Sequence, residues 1–526
     1  MFIQEIKKKT KNKTYYSTLL LESYREGKKV RHRTISNLSR WPKNLIEEFK
    51  LLLKGGKVVM LEDLKKGQGK SCGALIVLYK LCKRLGILKA LGNTKNAKLA
   101  TVLIIARVFG ISSRLYIAKS WAKDEAIEEV LKIKSFDEDD LYKTLEWLSI
   151  NQEKIEERLF KHRHKDKIDE IFLYDVTSTY FEGMKNELAE WGYDRDGKKG
   201  KKQIVIGLLT DREGYPVSIE VFKGNTQDPK TVINQLKKLK YKFEIKRVIF
   251  VGDRGMIKNA QIEDINEFKW NFISAITKPQ IERLLNIGVM QMSLFEEKIT
   301  EVYYENYRYI VRRNPERARE IERNRKSRIE YIIKIINKKN SYLLEHKKAS
   351  VEVAIKNINE EIEKRKLKGI IKVGANSRTL TWEIDDTALK DSSRLDGCYV
   401  IKTDLPKDIL SKEIIHDRYK DLTLIERAFR TIKTTLEKIR PVYVRKECST
   451  RGHVFVCMLA YVIAKYIWDN LKGLGFPMEF IFSTLDKIQY SAYEFKDRII
   501  KVLPDKLLEH QKLIIDKLQI KLPHIL

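Results

Sequence analysis

Three acidic residues lie in sequence contexts that suit chemistry on a phosphate ester. Asp175 lies in the apolar stretch IFLYDVTSTYF and Asp253 directly follows RVIFVG, so each is expected near the end of a strand. Glu426 lies in 416–440, HDRYKDLTLIERAFRTIKTTLEKIR, whose apolar residues recur every three or four positions, as in an amphipathic helix. Carboxylates from separate elements can hold two divalent ions about 4 Å apart beside a phosphate and a water. The expected chemistry is metal-dependent reaction of a phosphodiester.

Glu426 has polar neighbours at helical spacing. Tyr419 and Lys433 lie almost two helical turns before and after it, so the three side chains are expected in one row. Arg430 lies one turn beyond Glu426 and adjoins that row. Such a group can hold a metal ion near a phosphate, or it can be a solvated face of ion pairs. The helix alone does not decide between the two.

The charge of the chain favours a nucleic-acid partner. The chain has 526 residues, enough for two to four domains, and a formal net charge of +32. Many dispersed Lys and Arg side chains favour binding to a polyanion through counterion release. Charge bears on association and solubility and not on fold, so simple solubility is the alternative.

Cysteine usage and apolar runs bound the class of protein further. The 5 cysteines form no CxxC pair, which argues against a zinc framework and fits a reducing compartment. The longest apolar runs, 99–110 and 454–468, are short or interrupted by Arg107 and Lys465. We therefore predict core helices rather than membrane spans.

Hydrophobic periodicity divides the chain into six regions, with an α/β core split by an insertion. The predicted regions are a basic β-rich domain (1–65), a helical DNA-binding or linker region (66–166), the first part of the core (167–279), an insertion of strands and a charged, coiled-coil-like helical arm (280–395), the second part of the core with the Glu426 helix (396–445), and a C-terminal helical region (446–526). The first region contains a predicted hairpin with the turn REGKK. This basic ribbon either enters a DNA groove or is purely structural.

The residues around the three acids resemble the DDE transposases of bacterial insertion sequences, in the branch marked by Y-x2-R-x3-E-x6-K. Tyr419, Glu426 and Lys433 fit that spacing, whereas Leu422 stands at the Arg position. YDVTSTYF resembles the block with the first acid, and GNTQDPKT and VGDRGM resemble the block with the second. ERAFRTIKTTLEKIRPVYV and SYREGKKVRHRTISNL resemble one subgroup of these transposases. The likeness covers nearly the whole chain.

The resemblance implies a fold and a mechanism. The fold would be α/β, with a ribonuclease-H-like catalytic core of the retroviral-integrase superfamily, interrupted by a mixed β/helical insertion and flanked by an N-terminal β-hairpin domain and helical regions. Asp175, Asp253 and Glu426 would be catalytic and would bind two Mg²⁺ or Mn²⁺ ions. Water would cleave the DNA at the ends of the insertion sequence, and the freed 3′-hydroxyl would attack target DNA. The partner would be double-stranded DNA, bound by a homodimer in the bacterial cytoplasm at the nucleoid, with no membrane involved.

Further residues are candidates for DNA contact. Tyr419, Arg430, Lys433 and Arg254 would bind phosphate near the scissile bond, with local ion pairs and packing as the alternative. Because Leu422 replaces the expected arginine, we predict that Arg418 or Arg430 takes over its phosphate contact.

Four other residues and one lysine run are weaker candidates. Trp270 and Trp382 are the tryptophans available to stack on a flipped base, although a core position is favoured for each. Asp211 and Asp228 are predicted to be turn residues rather than metal ligands. The GKKGKK run at 197–202 either touches the DNA backbone or is a solvated turn.

Two other functions remain open from the sequence. One is a catalytically inactive, transposase-derived DNA-binding protein, which the Leu422 departure supports and the intact acidic triad opposes. The other is a different metal-dependent nuclease on the same fold.

Overall fold

The computed structural model describes most of the chain. The described residues are 1–9, 14–55, 65–67, 69–111, 113–164, 171–181, 183, 185–193, 195, 197, 200–434, 444–495 and 498–526. They form two compact units. The first comprises Met1–Ala74, Ser483–Leu513 and Lys521–Leu526, and the second comprises Leu75–Phe482 and Ile514–Ile520.

Strands and helices are numbered in chain order. The strands are β1 (Phe2–Lys9), β2 (Thr14–Glu26), β3 (Lys29–Asn37), β4 (Lys65–Gly67), β5 (Ile171–Tyr180), β6 (Gln203–Asp211), β7 (Pro216–Lys223), β8 (Ile249–Gly252), β9 (Asn271–Ala275), β10 (Thr300–Tyr304), β11 (Tyr307–Arg313), β12 (Ile371–Asn376), β13 (Thr379–Ile384), β14 (Cys398–Thr403), β15 (Ser491–Phe495) and β16 (Arg498–Val502). The helices are α1 (Lys43–Leu53), α2 (Gly73–Arg84), α3 (Ile87–Leu91), α4 (Lys95–Val108), α5 (Arg114–Ser120), α6 (Glu125–Leu131), α7 (Glu138–Arg163), α8 (Asp228–Tyr241), α9 (Asn259–Glu267), α10 (Lys278–Asn286), α11 (Pro315–Glu345), α12 (Val351–Lys364), α13 (Asp386–Ser393), α14 (Lys412–Lys420), α15 (Leu422–Thr434), α16 (Glu447–Leu471), α17 (Met478–Asp486) and α18 (Glu509–Lys517).

The first unit contains two small antiparallel sheets. Strands β1, β2 and β3 form one sheet in that order, and the predicted turn between β2 and β3 contains Gly27 at φ 62°. Strands β16, β15 and β4 form the other. The β15–β16 hairpin lies in the region 446–526, which the sequence predicted to be helical, so that prediction is wrong there. The runs AYEF and RIIKV are too short for their periodicity to separate a strand from a helix.

The second unit is built on an eight-stranded mixed sheet in the order β10-β11-β14-β9-β8-β5-β6-β7. Strands β5, β8 and β9 run parallel to one another, and β6 and β7 continue from β5 as an antiparallel meander. The arrangement β7-β6-β5-β8-β9 is that of a ribonuclease-H-like core. Helices α8 and α9 bury Leu236 and Ile265 in the same core as Phe172 and Phe250 of the sheet. The predicted fold class is confirmed.

The helices that come before β5 in the chain form a helical layer together with α16, which comes after the sheet in the chain. In α16, Gly452 lies so close to α7 that a Cβ atom there would overlap the backbone of Leu145. Within the described residues, one helix, Glu447–Leu474, is long and apolar enough to cross a membrane, and 67% of its most apolar window is buried in the protein. Length and composition are weak evidence for a span, because the core helix of a globular protein has the same properties.

The inserted segment between β9 and β14 has two parts. Strands β10 and β11 extend the main sheet through pairing of β11 with β14. Helices α11 and α12 pack on the β12–β13 hairpin and form a separate core that includes Ile332, Ile336, Ile358 and Leu380. The charged helical pair is therefore not a coiled-coil-like arm, because its one apolar stripe is buried against a sheet rather than against a partner helix alone.

The predicted helix over 416–440 is interrupted. Helix α14 ends at Lys420 and α15 begins at Leu422, with Asp421 between them. Tyr419 thus lies on α14, whereas Glu426 and Lys433 lie on α15, so the prediction of one row on one continuous helix is wrong. Residues 435–440 lie outside the described part of the chain. Within α15, Ile425, Phe429 and Ile432 are buried, which confirms the amphipathic face.

Candidate active site

Two neighbouring parallel strands bring the first two acids together. The last residue pair aligned between β5 and β8 is Tyr174 with Gly252, and the next residue on each segment is Asp175 and Asp253. Since neighbouring strands lie about 4.8 Å apart, this register alone makes the two carboxylates neighbours. Asp253 follows the end of its strand, as expected. Asp175 lies in the middle of β5 instead of near its end, because pairing with β6 continues to Tyr180.

Helix α15 brings the third acid to the same place. Its apolar face packs against β5, and the Lys433 ammonium donates a hydrogen bond to the main-chain oxygen of Ser178 on that strand. Glu426 is exposed and lines a cavity of about 500 Å³ together with Asp253. The three acids therefore come from a strand, a strand end and a helix that all meet at β5.

The electrostatics of Asp175 place it within range of the charges of the other two carboxylates. The pKa of Asp175 is raised to about 7, first by burial and then by the charge of Asp253, with a smaller contribution from Glu426. The Val176 N–H donates to Asp175 Oδ1 at 2.7 Å, and this bond and the charge of Arg195 oppose the increase. A site that concentrates negative charge in this way favours a bound cation.

Tyr419 holds Asp253. Its hydroxyl donates a hydrogen bond to Asp253 Oδ1 at 3.1 Å. Burial, and then the charge of Asp253, raise the pKa of Tyr419, so the phenol stays protonated and acts as a donor. Since α14 carries Tyr419, this bond ties the helix before Glu426 to the end of β8. Tyr419 therefore orients the Asp253 carboxylate, whether or not it also contacts DNA.

The donor set fits a hard divalent ion, although the side chains do not converge on one. Among the described residues, no three His, Cys, Asp or Glu side chains are close enough together to hold an ion. The three carboxylates supply only oxygen atoms, which suits Mg²⁺ or Mn²⁺. Asp253 and Glu426 are exposed, and the remaining oxygen of Asp253 is not used by Tyr419. The residues therefore fit the metal by chemistry, and closing around it requires movement of side chains.

The cavity beside the acids has a basic wall. It is lined by Leu422 and by residues from α10, α11, α14 and the loop after β8. The basic side chains of its lining are Arg254, Lys278, Arg317 and Lys420. A cavity lined by both carboxylates and cations suits a phosphodiester, whose phosphate the cations can bind close to the acids.

Comparison with known families now decides what this site belongs to. The family model described as the transposase DDE domain matches residues 166–463, and the model of the IS1634 family transposase N-terminal domain matches residues 3–60. The chain belongs to the DDE transposase family. The predicted kinship with the transposases of insertion sequences is confirmed by both matches. A search among curated proteins finds no match.

Solved transposase structures share only a remote likeness with this family member. A piggyBac transposase synaptic complex with hairpin DNA matches at 9% identity and a TM-score of 0.36, covering 80% of this chain and 82% of that one. A Mos1 transposase paired-end complex matches at 14% identity and a TM-score of 0.15, covering 34% of this chain and 59% of that one.

The predicted DNA-contact residues of this transposase-family chain differ in placement. Arg254 is exposed beside Asp253 and lines the cavity. Lys433 is engaged with Ser178, and Arg430 is exposed one turn beyond Glu426, outside the described lining of the cavity. Arg418 forms an ion pair with Asp421 at 3.0 Å and is also outside that lining.

Sequence reasoning missed Lys278, Arg317 and Lys420, which the fold brings to the cavity. Lys278 is the first residue of α10, and Arg317 lies in the first turn of α11. Cations are unfavourable at a helix N-terminus because of the helix dipole. A cation in a first turn was therefore a signal that could have singled out both residues.

The weaker candidates also have definite places. Trp270 is buried and donates from Nε1 to the Lys246 main-chain oxygen at 3.1 Å, whereas Trp382 on β13 is 40% exposed, so the core interpretation is wrong for Trp382. Asp211 is buried and accepts hydrogen bonds from two main-chain N–H groups of its turn, as predicted. Asp228 begins α8 and pairs with Arg195, which corrects its assignment to a turn. The GKKGKK run lies partly outside the described residues.

Proposed function

We propose that this chain cuts DNA at the ends of an insertion sequence and joins those ends to target DNA. The observation that carries the proposal is the parallel register of β5 and β8, which makes Asp175 and Asp253 neighbours beside a basic cavity that also contains Glu426. Asp175, Asp253 and Glu426 would hold two Mg²⁺ or Mn²⁺ ions. When bound, such ions activate the attacking oxygen and stabilise the departing one.

The residues of the chain have separate tasks in this proposal. Tyr419 holds Asp253 in a fixed orientation through its hydrogen bond. Lys433 fixes α15, and with it Glu426, on β5. Arg254 faces the DNA phosphate, whereas Arg430 and Lys433 remain proposed contacts to DNA farther along α15.

Each chemical step exchanges one P–O bond for another. In cleavage, the oxygen of water bonds to phosphorus, the bond to the 3′ oxygen breaks, and a 3′-hydroxyl and a 5′-phosphate result. In joining, that 3′-hydroxyl attacks a target phosphodiester and a new 3′-hydroxyl leaves. In both steps the attacking oxygen loses a proton and the departing oxygen gains one, so no oxidant or other reactant is needed.

We also propose double-stranded DNA as the partner, a homodimer on the DNA, and action at the nucleoid in the bacterial cytoplasm. The net charge of +32 supports the partner. The five cysteines lie in the described parts of the chain and form no disulfide there, which supports a reducing compartment.

The test is cleavage and joining of a duplex taken from the DNA that borders the coding sequence. We expect cleavage with Mg²⁺ by the unmodified protein, and loss of cleavage in Asp175→Asn, Asp253→Asn and Glu426→Gln. Glu267→Gln, an exposed acid on α9, is the matched control. Binding without cleavage by the unmodified protein would support the inactive DNA-binding alternative, and cleavage without joining would support a nuclease.

A further inference from the structure

The inserted segment contributes cations to the cavity that contains two of the acids. Arg317 of α11 lines the cavity that contains Asp253 and Glu426, and so does Lys278 of α10. Both side chains are accessible, with 60% of Arg317 and 45% of Lys278 exposed. A phosphate in the cavity would therefore meet carboxylates from the core and cations from both the core and the inserted segment.

Position 422 cannot supply this charge. Leu422 is 7% exposed and contributes an apolar side chain to the cavity wall. The two arginines that the sequence offered in its place, Arg418 and Arg430, are both outside the described lining. Arg317 is a cation from a different element that reaches the same space.

Three contacts fix the first turns of α11, and hence Arg317. The Asn314 side chain caps the helix by accepting from the N–H groups of Glu316 and Arg317, each at 3.1 Å. The Asn314 N–H donates to the Gly397 oxygen at 2.8 Å. Two turns farther on, Arg325 pairs with the buried carboxylate of Asp396 at 2.6 Å. Arg317 therefore projects from an anchored helix and not from a mobile arm.

The close approach of α11 also requires a glycine. Gly397 has φ 73°, and a Cβ atom there would overlap the Asn314 oxygen and lie 2.8 Å from Ala318 Cβ. Only glycine accepts both the backbone conformation and the contact. The loop before β14 is thus shaped to receive the start of α11.

The present partner of Arg317 is easily exchanged. Its guanidinium pairs with Glu320 one turn along the same exposed helix face. Such surface pairs contribute little free energy, whereas a guanidinium binds a phosphate through two parallel charge-assisted hydrogen bonds. DNA phosphate would displace Glu320 at small cost.

We propose that Arg317, assisted by Lys278, binds a phosphate beside the scissile bond and supplies the cation that position 422 lacks. This assignment rests on the proposed function for its location at a scissile bond, although binding of the phosphate can be measured without cleavage. The inserted segment then completes the substrate site rather than only extending the protein.

The test compares Arg317→Ala with Arg328→Ala, which removes the same charge from an exposed position of α11 outside the described lining. The probe is the duplex from the border of the coding sequence, together with versions that carry one uncharged methylphosphonate at successive positions around the end of the element. Affinity is measured by fluorescence anisotropy and cleavage by gel. We expect Arg317→Ala to bind roughly 10- to 100-fold more weakly than Arg328→Ala, and Arg317→Lys to recover part of the loss.

The methylphosphonate series separates contact from folding. For one phosphate, neutralisation should weaken the unmodified protein and Arg328→Ala but leave Arg317→Ala unchanged, since the contact is already missing. Equal affinities of the two alanine variants, or a loss in Arg317→Ala that persists at every neutralised phosphate, would overturn the assignment. Failure of the unmodified protein to cut would overturn the proposed function instead, while the binding ratios would still decide the role of Arg317.

Discussion

The core strands that position Asp175 and Asp253 and the inserted helix that positions Arg317 are held in place in different ways. Asp175 and Asp253 are fixed by the register of β5 and β8, whose side chains are buried on a continuous core. Arg317 is fixed by a helix cap, a glycine and one buried ion pair. A position fixed by many small packing contacts tolerates the loss of any one of them better than a position fixed by three specific bonds. The core should therefore be robust in geometry and the inserted helix sensitive.

The largest expected effect is on the acids. Asp253→Asn should reduce Mg²⁺-dependent cleavage by about 1,000-fold, since loss of one ligand charge costs several kcal/mol of transition-state stabilisation. The fold should persist, because Asn retains the shape and can still accept the Tyr419 hydrogen bond. Thermal unfolding of the metal-free protein is the check on folding, with Glu267→Gln as the control. Cleavage within tenfold of the unmodified rate would remove Asp253 from the site.

Removal of a buried ion pair tests how much specific bonds contribute to the stability of the core. Lys238 of α8 donates to Glu156 of α7 at 3.0 Å and to Ser218 of β7 at 2.9 Å, and both charged side chains are buried. Lys238 also pairs with Glu220, so Lys238→Met leaves both Glu156 and Glu220 without this counter-charge and should cost about 3 to 5 kcal/mol, seen as a lower melting temperature. The neighbouring exposed Lys237→Met is the control and should change little. If the two variants melt alike, the pair does not hold the helices to the sheet.

Gly397→Ala tests the sensitivity of the inserted helix. The added methyl overlaps α11, so we expect about 1 to 3 kcal/mol of destabilisation and a displaced Arg317. Gly369→Ala is the matched control, since Gly369 also has positive φ (83°) but nothing lies within 4 Å of its Cβ position. Cleavage and melting temperature should fall more in Gly397→Ala. Equal behaviour would mean that backbone strain and not the fit of α11 is what matters.

The smallest expected effect is a pH dependence of folding stability that arises where β11 and β14 meet α14. His416 is buried, and the Tyr399 hydroxyl and the Arg312 guanidinium each lie 2.6 Å from its Nε2. Burial lowers the pKa of His416 and the charges of Arg312 and Lys420 lower it further, whereas the hydrogen bond that His416 donates to the Asp417 carboxylate raises it. The unfolded chain, with a pKa near 6.5, then takes up a proton more readily than the folded one. Stability should fall as the pH drops below about 6.5.

His416→Gln cannot take up that proton, so its melting temperature should change less than that of the unmodified protein between about pH 7.5 and pH 5.5. A parallel fall in both proteins would assign the pH dependence to other groups. His524, exposed near Asp505, provides the control His524→Gln, which should retain the pH dependence.

The sequence by itself singled out the three candidate acids and most of the core. Short apolar runs marked β5 and β8, and the helical spacing of Ile425, Phe429 and Ile432 marked the buried face of α15, because burial on one or both sides imposes these patterns locally. The charge balance and the motifs around the acids led to the transposase family that the comparisons confirm. Each of these signals lies within a short stretch of the chain.

Only the tertiary structure decided which residues share the cavity. The break at Asp421, the pairing of β11 with β14 and the docking of α11 against Gly397 depend on contacts between segments far apart in the chain. Local periodicity contains no information about such contacts, so Tyr419 was placed in a row with Glu426 when it bonds to Asp253. For the same reason Arg317 looked like one cation among many on a charged helix. Its place in the same cavity as Asp253 and Glu426 exists only once the inserted segment has folded back onto the sheet.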